Sequence, residues 1–67
     1  MKRNPMVYLV RKDGRQSGFI TNRRDALRVQ RSNPGSVVYG MNARYFRHVG
    51  GVWDAPTFAL CADEVIA

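Results

Sequence analysis

The sequence predicts a small α+β domain, an antiparallel sheet of three to four strands with one helix packed across it in the order β-β-α-β(-β). Three observations lead there. A chain of 67 residues has room for one modest core. Asp13-Gly14 lies between two apolar runs, a strong short-range hairpin signal. Asn22 stands three residues before Asp25, the spacing of a capped helix start, and Asn33-Pro34-Gly35 supplies the stop.

The first strand is expected over Met6 to Arg11, rich in Val and Tyr and entered from Pro5. Lys12-Asp13-Gly14-Arg15 forms the turn, because a type I′ hairpin needs positive φ at both central residues. Ser17 to Thr21 returns, with Gly18 marking a bulge or a close approach. Asn22 then caps a helix from Arg23 to Arg31 or Ser32, with Asp25 in the first turn where the dipole favours an acid. Ala26, Leu27 and Val29 point inward on this helix, while Arg24, Arg28 and Arg31 fall in an outward stripe about 60° wide.

Val37 to Met41 reads as a third strand. Arg44 to Val49 reads as a fourth, or as its continuation past an Asn42-Ala43 bulge. Gly50-Gly51 turns the chain, and Val52-Trp53 is a candidate to pair back. Asp54-Ala55-Pro56 suits the start of a short helix carrying Phe58, Ala62 and Val65 on one face, and Phe58 to Leu60 suits a strand equally. Asp63 and Glu64 would oppose a helix dipole there, so residues 55–67 are expected as a frayed or disordered tail. The expected organisation is a flexible start over 1–5, one domain over 6–54 and that tail. The expected core is Val7, Leu9, Phe19, Leu27, Val38, Phe46 and Trp53.

Composition excludes several classes. No run approaches 18 apolar residues, which argues against a membrane span. The apolar run before Arg11 is only five residues, Met6 to Val10, too few for a signal-peptide core. The lone Cys61 makes no internal disulfide and fits a reducing cytoplasm. One histidine and one cysteine fall short of the four ligands of a usual zinc site. No phosphate-binding loop or nucleophile elbow is present, so neither an enzyme nor a cofactor is expected. His48 and Cys61 read as a strand surface residue and an apolar filler.

Charge carries the strongest functional signal. Nine Arg and two Lys oppose five acids, for a net +6. The first 31 residues hold nine bases and two acids, a net of +7; the remainder holds two bases and three acids, a net of −1. A surface that serves only solubility mixes both signs. The candidate partner-binding set is therefore the helix ridge Arg24, Arg28 and Arg31, the flanking Arg23, and the hairpin bases Arg11, Lys12 and Arg15. Tyr45 and Arg47, expected on one face of a strand, join them as an aromatic and basic pair. Arginine forks onto carboxylates and phosphates alike, so an acidic protein surface and a nucleic acid are both open as partners.

Two resemblances add to this reading. Tyr8 to Val29, YLVRKDGRQSGFITNRRDALRV, resembles the strand-turn-strand-capped-helix core of the arm-type DNA-binding domains of phage integrases, which place three strands rather than two before the helix. In size, charge bias and the Phe19-Ile20-Thr21-Asn22 strand running into a capped helix, the chain resembles small bacteriophage proteins that bind host machinery, inhibitors of bacterial RNA polymerase among them. That likeness implies a monomeric regulator in the host cytoplasm, docking on RNA polymerase and modulating transcription. The alternatives are a direct DNA- or RNA-binding module and an inhibitor of a host defence complex.

Overall fold

The computed structural model describes residues 5–48, 50 and 53–67. Strand β1, Met6–Lys12, carries the chain's best apolar run. Val7, Tyr8, Leu9 and Val10 are all 2 to 5% exposed. Successive strand residues face opposite sides, so unbroken burial requires a layer on each face of the sheet.

The hairpin forms where turn chemistry places it. Asp13 and Gly14 both take positive φ, 49° and 79°. Strand β2 is Arg15–Gln16, ahead of the expected Ser17 to Thr21, of which only Ile20 pairs, in an isolated bridge with Tyr8. Gln16 lies opposite Arg11, whereas Ile20 lies opposite Tyr8. Three residues on the returning chain therefore face two on β1, a bulge at Ser17-Gly18-Phe19. Ser17 fills it. Its amide donates to the Val10 carbonyl at 2.8 Å, and its Oγ accepts from the Val10 amide at 3.0 Å. A Cβ on Gly18 would meet nothing within 4 Å, so no close neighbour demands glycine there.

Helix α1, Arg23–Ser32, begins at Asn22, whose Oδ1 accepts from the Arg24 amide at 2.8 Å. At its other end the Asn33 amide donates to the Gln30 carbonyl at 3.0 Å, and Gly35 takes φ +89°. Ala26, fully buried, seats α1 on Tyr8, Val10 and Val38, with Met6, Ile20, Leu27, Val29 and Ile66 around them.

Strand β3, Val37–Asn42, runs antiparallel to β1 over its whole length, from Met6 opposite Asn42 to Arg11 opposite Val37. The final strand β4, Glu64–Ile66, lies outside β3. The sheet order is β2-β1-β3-β4, four strands and all pairs antiparallel. This confirms the α+β class.

The second half departs from expectation. Ala43–His48 is a helix, α2, where the sequence suggested a strand from Arg44 to Val49. Asn42 ends β3 and caps α2 at once, its Oδ1 accepting from the Arg44 amide at 2.8 Å. Gly50, at φ +90°, closes the far end, its amide donating to the Arg47 carbonyl at 2.9 Å. Val49, Gly51 and Val52 lie outside the described residues, and so does the proposed pairing of Val52.

Residues 55–67 are not a loose tail. Ala55–Leu60 forms α3, with proline in its first turn and the Asp54 carbonyl accepting from the Phe58 amide at 3.0 Å. Phe58 is fully buried against Val7, Leu9, Met41, Ala43 and Ala55. Asp63 and Glu64 fall beyond the helix, so they oppose no dipole. The Asp63 carboxylate accepts from the Asn42 amide at 2.9 Å. The described residues thus form three layers, α1 on one face of the sheet and α2 with α3 on the other, rather than one helix across a sheet.

Candidate docking surfaces

The three layers divide the sequence-predicted site into two faces. Arg24, Arg28 and Arg31 stand exposed on the outer side of α1, as the helical spacing requires. Among the described residues none of the three forms an ion pair. Arg23 does, reaching the Glu64 carboxylate on β4 at 3.4 Å. Arg23, Arg24, Leu27, Arg28 and Arg31 together border a shallow groove along the helix.

The hairpin bases stand at the opposite end of α1. Lys12 donates from Nζ to the Pro34 carbonyl, which ties the hairpin to the loop after α1. Lys12 is therefore partly structural. Arg15 is exposed on β2. Both border a cleft of about 200 Å³ that also touches Val10, Val29 and Asn33. These bases thus lie at the C-terminal end of the α1 ridge.

Tyr45 and Arg47 do not join this set, and Arg11 joins it only by bordering the same cleft. Arg11 alternates with Lys12 along β1 and belongs to the face covered by α2 and α3. Its Nε is buried without a hydrogen-bond partner. Tyr45 and Arg47 sit on α2, where residues two apart are about 160° apart around the axis. The common strand face expected for them does not exist.

Tyr45 instead joins a group that the sequence did not assemble. Its ring meets Trp53 at 5.9 Å between centroids; Trp53 stacks on Phe46 at 6.2 Å and 15°. Phe46 meets Phe19 edge-on at 4.9 Å. Phe19 and Tyr45, the ends of this strip, are 41% and 48% exposed. Phe19 was an expected core residue. The bulge at Gly18 places it at the sheet edge instead, where it touches Phe46 and Phe58 and leaves one side to water.

Gln30 is a structural residue the sequence did not announce. Its side-chain amide donates to the Ser36 carbonyl at 3.1 Å and the Ile66 carbonyl at 2.9 Å, joining α1 to β4. The Asp54 carboxyl is held below its ordinary value, first by the Thr57 hydroxyl. His48 and Cys61 are exposed. Among the described residues no three of His, Cys, Asp or Glu gather as a metal site, and no helix is long and apolar enough to cross a membrane. No family model matches the chain, and no curated protein or solved structure matches it.

Proposed function

We propose that the chain is a non-enzymatic, basic binding protein of the phage-regulator type, which docks on an acidic surface of host RNA polymerase through the outer side of α1 and modulates transcription. One observation carries the reading. Arg24, Arg28 and Arg31 form an exposed row with no ion-pair partner among the described residues, on a helix anchored by Ala26. A rigid row of forked cations suits carboxylates held at fixed spacing on a partner. It would act by covering a surface that a normal partner or nucleic acid needs.

The direct nucleic-acid reading is the alternative, and a separate observation favours it. Arg15 and Lys12 lie by the end of α1, so the basic strip extends past the helix. The test is the triple variant R24A/R28A/R31A. Exposed arginines contribute little to stability and alanine is the best helix former, so melting should be almost unchanged. Binding to purified bacterial RNA polymerase should weaken by about tenfold or more. Unchanged binding would reduce the ridge to a solvated face.

A further inference from the structure

The face opposite α1 carries a second, chemically different surface, which does not depend on the reading of α1. Its centre is the strip Phe19, Phe46, Trp53 and Tyr45, whose ring contacts are continuous from one exposed end to the other. Scattered apolar residues on a surface need no explanation, but a contiguous aromatic patch on a small domain does. The exposed arc of α2 borders it. Around the axis Arg47, Arg44 and His48 come in succession and then Tyr45, all within about 160°, and α2 contains no acid.

We infer that this aromatic strip with its cationic border is a docking site for a segment of a partner protein that combines acidic with large apolar side chains. Charge complementarity selects that occupant. A second copy of this chain would bring Arg44 and Arg47 against their own kind, which is repulsive. A single-stranded nucleic acid would satisfy the cations but needs open ring faces for base stacking. Here Trp53 is stacked on Phe46 and its Nε1 donates to the Phe46 carbonyl at 3.2 Å, so much of the ring surface is already engaged. Aromatic anchors beside arginine are also the composition of interface centres that carry binding energy.

Trp53 is the chain's one tryptophan, so its emission reports on this strip alone. The experiment titrates the full chain with a tryptophan-free peptide of Glu, Asp and Leu. The comparison probes are the same peptide with Lys for the acids, the same with Ser for Leu, and oligo-dT. The expected result is a Trp53 emission shift with the Glu/Asp/Leu peptide, at least about tenfold weaker binding of the other two peptides, and no shift with oligo-dT. Arg44→Glu should weaken the acidic peptide by about tenfold. Tyr45→Ala should weaken it too; Tyr45 is half exposed and among the described residues its ring meets only Trp53, so circular dichroism should remain that of the parent. Because Arg44→Glu alters only an exposed charge, it tests the site even if Tyr45→Ala unfolds. R24A/R28A/R31A should bind the peptide like the parent, which separates this site from α1. An emission response to oligo-dT in place of the peptide, an equal response to the Lys peptide, no response to the acidic peptide, or self-association that shifts Trp53 by itself would overturn the inference.

Discussion

Gly40 leaves the room that one aromatic ring of the core occupies. It lies opposite Tyr8 in the β1–β3 ladder, and a Cβ built there would stand 2.8 Å from Cε1 of that ring. The Tyr8 ring occupies the space that a side chain would need. Gly40→Ala should therefore destabilise by about 1–3 kcal/mol through overpacking, read as a lower denaturation midpoint. A midpoint equal to the parent would mean the ring moves aside freely. Asp54 acts more gently. Its carboxyl is depressed by the Thr57 hydroxyl, so its stabilising effect is present above the ordinary carboxyl range and fades as pH falls through the lowered value. Asp54→Asn should lower stability at neutral pH and leave it nearly unchanged in strong acid, which flattens the acid limb of the stability profile. An unaltered acid limb would remove Asp54 from the account.

The elements that were legible in the sequence are those whose signals are local. Asp13-Gly14 has the φ values its turn type demands, and Asn22 caps α1 as its side chain suggests. Gly14→Val should be strongly destabilising, because a β-branched residue resists φ +79°. The thermal midpoint checks this, and an unchanged value would mean another turn forms. α2 and α3, of six residues each, are too short to announce themselves, since isolated helices of that length are unstable in water. Tyr45 and Phe46 carry strand propensity, and only Asn42 before Ala43 hinted at a helix start. α3 forms because Phe58 fills the space over Val7, Leu9 and Met41. Phe58→Ala should then cost about 3–5 kcal/mol, and urea unfolding measures it. A loss near zero would restore the view of residues 55–67 as a tail.

At the scale of the whole molecule, the sheet separates two surfaces. The charge imbalance of the chain was readable from composition, and the helical spacing placed Arg24, Arg28 and Arg31 correctly. The separation was not readable, because it depends on which side of β1 each later helix covers. Tyr45 and Arg47 consequently moved to the other face, Arg11 came to lie between the two, and Phe19 moved from core to edge. The central claim is that the α1 row meets a protein rather than phosphates. Its most direct test is the salt dependence of binding, measured in parallel on nuclease-treated bacterial RNA polymerase and on free duplex DNA. The complex with the polymerase should survive nuclease and weaken only shallowly with salt, because rim charges mainly speed association. Free DNA should bind poorly. If instead free DNA binds tightly, with a log–log slope of about −4 to −5 as expected for roughly five phosphate contacts, the chain is a nucleic-acid-binding module and the claim is wrong.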